Sequence, residues 1–268
     1  MADLLARIHA TLDDIDRAII ACSGGIDSTL LALVAHAHAP GRVVVAHAIS
    51  PAVPPEATAR VRALAQQHGW QLSVVQSGEF ADENYLSNPV NRCYFCKSNL
   101  YDSLTQIAAA HESGTVLSGA NLDDLGEYRP GLDAAAERGV RHPWIEAQFT
   151  KADIRTLARI LDVPFAELPS SPCLASRLYT GTRVTAERLK AVHACETIVK
   201  EDTGLIVVRC RVRDDRIIVE VADEDRSQIT PALLDRLGAA AAAIEPGITR
   251  AILDAEAYRP GRAFVGKK

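Results

Sequence analysis

No apolar run in this sequence approaches the roughly 20 residues that a membrane-crossing helix needs, so a bilayer span is excluded. Basic residues give no excess either. The net charge is −5, and no basic stripe with interleaved aromatics occurs. Long nucleic acid is therefore a poor partner, although a small local patch able to hold an RNA end stays open. Internal repeats and low-complexity segments are missing. The opening Met-Ala-Asp-Leu-Leu-Ala-Arg lacks the basic-then-apolar layout of a signal peptide, which makes a cytoplasmic location the expectation. Two common nucleotide loops are absent: G-x-x-x-x-G-K-[ST] and G-x-G-x-x-G. A C-x-x-C occurs once, with no second copy and no histidine pair at a matching spacing, so the usual zinc arrangement is incomplete.

What is present begins with 268 residues at 48% hydrophobic content, enough for one large domain or a main domain with a smaller one. The stretch 17–29, Arg-Ala-Ile-Ile-Ala-Cys-Ser-Gly-Gly-Ile-Asp-Ser-Thr, organises the rest. Its apolar start reads as a buried strand over 18–22. Ser23-Gly24-Gly25 is a turn, and a helical pattern over 27–38 follows at once. Strand, glycine turn and helix N-terminus in succession aim backbone N–H groups and a helix dipole at one spot, which is an anion site. Gly24 and Gly25 admit close approach of an oxyanion, and the hydroxyls of Ser23 and Ser28 add donors. The pattern Ser-Gly-Gly-x-Asp-Ser resembles the pyrophosphate loop of the PP-loop ATPases, which split ATP into AMP and pyrophosphate.

The remaining periodicity predicts an alternation of strands and helices. A lead-in helix covers 3–14. Strands are expected at 43–48, 72–75 and 115–118, with helices at 55–68, closed by Gly69, and 96–111. Residues 85–91 read as irregular, 120–149 as polar and poor in pattern, and 151–161 as a helix. The fold class is therefore α/β, a doubly wound parallel sheet, with ligands outside the carboxyl ends of its strands. That edge gathers Ser23, His47 and Gly119. Composition shifts near Tyr179. Beyond it a helix at 185–200, strands at 205–213 and 216–221, a helix through Ala243 and a strand at 248–254 form a smaller α+β domain. The expected division is 1–178 and 179–268, and the tail from Tyr258 reads as loosely held.

Several residue groups carry chemistry. Cys93 and Cys96, flanked by Arg92 and Lys97, have a spacing that suits a metal, an iron–sulfur cluster or a redox pair, and both cations favour thiolates. Cys173, in a proline-bounded polar loop with Arg177 four residues on, is a candidate nucleophile or ligand. Cys22, Cys195 and Cys210 lie within regular elements and read as small apolar side chains. After the strand at 115–118, Asn121, Asp123, Asp124 and Glu127 supply oxygens for Mg²⁺ at the nucleotide edge, and Arg129 a cation for an anionic substrate. Arg209, Arg211 and Arg213 alternate along one strand face and require anions nearby. Glu196 and Glu220 are the nearest in the predicted elements. An exposed charged sheet face is the bland alternative.

The chain resembles the LarE-like sulfur transferases, the ATP-dependent PP-loop enzymes of nickel-pincer cofactor synthesis. The resemblance rests on SGGIDST, NPVNRCYFCK, SGANLDDLGEYRPG, GVRHPW, SPCLASR and the RVR strand, in that order. It implies that ATP adenylates a carboxylate of a pyridinium dicarboxylate mononucleotide, that pyrophosphate leaves, and that a sulfur nucleophile displaces AMP. Ser23, Gly24, Gly25, Asp27 and Ser28 then form the pyrophosphate site. His47, Gly119, Asn121, Asp124, Arg129 and Arg177 complete the cofactor site with Mg²⁺. Cys173 matches the cysteine that donates sulfur in some members, and Arg209, Glu196 and Glu220 match polar residues lining the sulfur-transfer site. Three delivery routes follow: sacrifice of the Cys173 sulfur, a redox C-x-x-C that reloads it, or a [4Fe–4S] cluster on Cys93, Cys96 and Cys173 that accepts sulfide. Sacrifice leaves Cys93 and Cys96 without a role, and the cluster, on which the protein turns over repeatedly, is the expectation. The partners implied are a small-molecule carboxylate mononucleotide, a sulfide or other sulfur donor, and further copies of the chain. A tRNA thiolase, an amide-forming synthetase and a non-catalytic nucleotide- and cluster-binding regulator remain alternatives.

Overall fold

The computed structural model describes residues 2–111, 114–126, 128–169 and 172–264. Glu127, one of the acids expected at the nucleotide edge, lies outside them, as do the two serines before Pro172. Two compact units emerge: Met1–Glu79 with Cys93–Ser171, and Phe80–Arg92 with Pro172–Lys268. The second unit therefore starts a few residues before the expected boundary and also claims a short earlier segment. Among the described residues, no helix is long and apolar enough to cross a membrane.

The first unit is a four-stranded, all-parallel sheet in the order β3-β2-β1-β4, with β1 (Ala18–Ala21) and β2 (Val43–Ala48) central. β3 (Gln71–Val75) and β4 (Thr115–Ser118) form the edges. Ile19, Ile20, Val44 and Val45 are fully buried, because helices cover both faces and the central strands must be apolar on both. On one face lies a cluster built from α1 (Ala2–Leu12), α2 (Ile26–His38) and α8 (Lys151–Ile160); on the other, residues of α5 (Arg92–Ala110) and α6 (Pro130–Ala136) pack on Ile19, Val44 and Val116. α3 (Pro55–His68) starts on its proline and ends on Gly69 in the left-handed region, as its punctuation predicts.

Three local expectations need correction. The segment 85–91 is not wholly irregular, since α4 (Glu83–Leu86) forms one turn capped by Asp82. α5 begins four residues earlier than its periodicity suggested, so Cys93 lies in its first turn rather than before it, and Cys96 just past that turn rather than at the helix start. Residues 120–149 hold a 3-10 turn at Leu122–Gly126, then α6 and α7 (Pro143–Glu146). Both of these helices are opened by prolines, and both are too short to show a period.

The second unit places α9 (Ala186–Thr203) and α10 (Pro231–Ile244) on a three-stranded sheet of order β5-β6-β7. β5 (Arg209–Arg213) and β6 (Arg216–Glu220) form an antiparallel hairpin, and β7 (Arg250–Leu253) joins β6 in parallel. Strand β5 starts later than the apolar run from 205 suggested, and Ile206 is exposed. From Tyr258 to Phe264, the described part of the tail, the chain is held rather than loose: Tyr258 N–H donates to Val221 at 2.9 Å, and Thr180 N–H donates to the carbonyl of buried Ala263 at 3.0 Å.

One contact sets the position of α2 in the first unit. Gly119, just past β4, lies so close to the first turn of α2 that a Cβ there would fall 2.7 Å from Ser28 N and 2.8 Å from Ser28 Cα. Those are backbone atoms of a packed helix and cannot swing aside. Gly119→Ala is expected to lower unfolding free energy by about 1–3 kcal/mol through overpacking, read from urea denaturation. An unchanged midpoint would show that the helix start yields freely.

Candidate functional site

The loop between β1 and α2 is shaped by its glycines. Gly24 has φ +80°, and a Cβ on it would fall 2.8 Å from the carbonyl oxygen of Ala57. No other residue fits that conformation and that gap together. Arg60, on α3, donates to the Gly24 carbonyl. Ser28 Oγ accepts from Ser23 N–H at 3.0 Å and lies 3.1 Å from Ser23 Oγ. Gly25 is the N-cap of α2 and contributes no side-chain cap, so the helix N-terminus is left open to an outside acceptor. Trp144, fully buried on α7, donates from Nε1 to the Asp27 carbonyl at 3.0 Å and fixes the first turn from behind.

The carboxylate of Asp27 meets the ammonium of Lys151, with Nζ 2.6 Å from Oδ1 and 2.5 Å from Oδ2. Lys151 is the first residue of α8, whose N-cap Thr150 forms a capping box with Asp153. The Lys151 backbone N–H donates to Asp123 Oδ2 at 2.8 Å. The acidic loop after β4 is thereby engaged. Buried Asn121 accepts from Asp123 N–H at 3.1 Å, Asp124 accepts from Asn121 N–H at 3.0 Å, and Arg129 pairs with Asp124 at 2.9 Å. His47 is buried at the end of β2. Its Nδ1 donates to the Cys22 carbonyl at 2.8 Å, and its Nε2 accepts from Thr58 Oγ1 at 2.9 Å. Burial holds its pKa below the usual imidazole range, so it stays neutral and shapes the loop's base.

The six cysteines, none in a disulfide, fall into two sets. Cys22, Cys195 and Cys210 are buried. Burial pushes all three thiols up, Cys195 to about 12, so they remain protonated and inert. Cys93 and Cys96 are half-exposed, three residues apart on one face of α5, and belong to the first unit. Cys173 is exposed, caps a 3-10 turn at Leu174–Arg177, and belongs to the second. Among the described residues, no group of three or more His, Cys, Asp or Glu side chains is gathered as a metal site.

In the second unit the arginine face is largely buried, not solvated. The hairpin register sets Arg209 opposite Glu220 and Arg213 opposite Arg216. Glu220, with no exposed surface, takes Arg211 Nε at 2.8 Å. Arg262 lies 3.7 Å from the same oxygen and 3.1 Å from Asp254. Arg209 packs over the Tyr258 ring at 5.3 Å, and burial together with nearby Arg177 lowers its pKa. Exposed Arg213 covers the Tyr179 ring at 5.2 Å. Arg177 forms a bidentate pair with Glu196 at 3.0 and 3.1 Å, with both side chains 3% exposed. Its third nitrogen donates to the carbonyls of Pro172 and Cys173 at 2.6 and 3.1 Å, and Glu196 also accepts from Cys210 N–H at 3.1 Å. The pair thus bolts the Cys173 loop to α9 and β5. Two residues of the first site, Lys151 and Arg60, escaped the sequence reading. A lysine at a helix start, where carboxylates are favoured, was the available signal for the first; Arg60 offered none.

A parallel sheet whose first strand runs through a glycine cradle into a helix N-terminus without a side-chain cap defines a doubly wound α/β protein, a class whose ligands lie at the carboxyl edge. No family model matches the chain. It is 31% identical over 224 residues, 83% of its length and 81% of the relative's, to pyridinium-3,5-bisthiocarboxylic acid mononucleotide synthase of Lactiplantibacillus plantarum. It is 38% identical over 259 residues, 96% of both chains, to an uncharacterised protein of Synechocystis, and 27% identical over 207 residues, 77% of both, to one of Methanocaldococcus jannaschii. The chain belongs to the LarE-like family of sulfur-transferring enzymes.

Removing Arg177 would strand a buried Glu196 carboxylate. Arg177→Ala is expected to cost about 3–5 kcal/mol in urea unfolding, and Arg177→Lys, which loses the two-pronged geometry, an intermediate amount. A loss below about 1 kcal/mol for the alanine variant would contradict the bolt.

Proposed function

We propose that this protein uses ATP to convert a carboxylate of a pyridinium dicarboxylate mononucleotide into a thiocarboxylate. The observation that carries the reading is the open N-terminus of α2 over the Gly24–Gly25 cradle, in a chain 31% identical to a synthase of a bisthiocarboxylic acid mononucleotide. A substrate carboxylate oxygen attacks the α-phosphorus of ATP, and the bond to the β-phosphate oxygen breaks. The N–H groups of the first turn of α2, with Ser23 and Ser28, receive the pyrophosphate. A sulfur nucleophile then attacks the acyl carbon, and AMP leaves with the original carboxylate oxygen. Asp27, Asn121 and Asp124 supply oxygens suited to Mg²⁺, and Arg129 the cation facing an anionic substrate.

Sulfur delivery is assigned to Cys93, Cys96 and Cys173. The donor set fits a [4Fe–4S] group chemically. These are the three accessible thiols, whereas the other three are buried and held protonated. When bound on three protein thiolates, such a cluster leaves one iron open to external sulfide. Arg177 fixes the backbone at Cys173. Arg209, Glu196 and Glu220 are assigned to the sulfur-transfer surface of the second unit. A cytoplasmic location and assembly into a homo-oligomer belong to the same reading.

The test is anaerobic reconstitution with iron and sulfide, followed by incubation with ATP, Mg²⁺ and the dicarboxylate mononucleotide. Expected are AMP and pyrophosphate in equal amounts, several thiocarboxylates per chain, and about four irons lost on replacing any one of the three cysteines. ADP and phosphate as products would overturn the adenylation. An iron-free protein whose Cys173 loses the mass of H₂S after one turnover would overturn the cluster in favour of sacrifice.

A further inference from the structure

The ion pair between Asp27 and Lys151 has no structural task that the fold needs. Asp27 is fixed through its backbone, by Trp144 and by its place in α2; Lys151 is fixed through its backbone, by Asp123 and by the capping box of α8. The two side chains add only an ammonium–carboxylate contact, 32% and 26% exposed, at the mouth of the cradle. A carboxylate in the first turn of α2 suits the helix dipole, but it stands where a polyphosphate must arrive and would repel it. Among the described residues, the charged groups bonded to the same loop and helix start include Arg60, on the Gly24 carbonyl, and Asp123, whose oxygen is taken by the Lys151 backbone.

We propose that Lys151 is a positioning residue of the nucleotide site. It neutralises Asp27 while no divalent cation is there, and it turns its ammonium to the phosphate oxygens once Asp27 is engaged by Mg²⁺. This rests on the reading of the cradle as an ATP site. It assigns a second cation to the phosphates from the start of α8, and it makes Asp27 and Lys151 a coupled pair rather than two separate ligands. No bond is made or broken in the exchange; only the partner of each charge changes.

The experiment is calorimetric binding of α,β-methylene ATP, which cannot be split at the reacting bond, with Mg²⁺ and with EDTA. In EDTA, Lys151→Met is expected to weaken binding about tenfold or more, because Asp27 then faces the phosphates unneutralised. Adding Asp27→Asn to that variant is expected to restore much of the loss, which a structural defect at α8 would not allow. Lys151→Arg, which keeps the charge and guards against a folding failure of the methionine variant, is expected to stay close to the parent protein. Equal EDTA affinity for the parent and Lys151→Met would overturn the proposal, as would a double variant no better than Lys151→Met. If the parent itself binds no analogue under either condition, the ATP reading falls and this inference with it; parent binding with an unaffected Lys151→Met sinks the inference alone.

Discussion

The carboxyl edge of the first unit's sheet depends on the close approach of Gly119 to the backbone of Ser28. Strand β4 ends against the first turn of α2, and no side chain intervenes. That contact, the Trp144 bond to the Asp27 carbonyl and the Arg60 bond to Gly24 hold the helix N-terminus from three sides. None of them uses the N–H groups of the turn itself. The fold thus spends rigid backbone contacts to keep a set of donors uncommitted, which is the condition for preorganised binding of a charge. Gly24 serves the same end by closing the cradle against Ala57 at a distance that only a missing Cβ permits.

The second unit solves a different problem. Three buried arginines, Arg177, Arg209 and Arg211, lie in the same unit as two buried glutamates, Glu196 and Glu220. Removing such charges from water costs several kcal/mol each, and apolar residues would stabilise the unit as well or better. What the ion pairs supply is direction. Arg177 joins Glu196 to the carbonyls at 172 and 173, and Arg211 joins Glu220 to the Ser176 carbonyl at 3.0 Å. The loop bearing exposed Cys173 is therefore tied by guanidinium groups, in a place where its own sequence, rich in serine and proline, has no periodic apolar face to pack. That explains why Arg209 and Arg211 are buried although alternation alone left a solvated face open.

Much of this fold is legible in the sequence. β2, β4 and α3 begin and end where hydrophobic runs, prolines and Gly69 place them, because buried parallel strands leave continuous apolar words and helix ends leave punctuation. The turn between β1 and α2 was legible for the same reason: its glycines follow a buried strand. α6 and α7 were not, since helices of seven and four residues are too short for a period to show. The start of α5 was missed because Arg92, Cys93 and Cys96 give no apolar stripe. Lys151 was hidden by distance, 124 residues from the aspartate it meets, and ordinary helix-start chemistry around Thr150 disguised it. Arg177 was expected among the cofactor residues, and its bidentate partner Glu196 becomes apparent only when α9 folds over it.

The central claim is that the first turn of α2, with Ser23, is the protein's pyrophosphate site. Its most direct test is a titration of the labelled protein with inorganic pyrophosphate, followed through the backbone amide resonances. The account predicts saturable shifts concentrated at the amides from Ser23 to Ser28 and at Gly119, whose Cα rests on that turn. Saturable shifts located elsewhere, with the α2 amides unmoved, would contradict it.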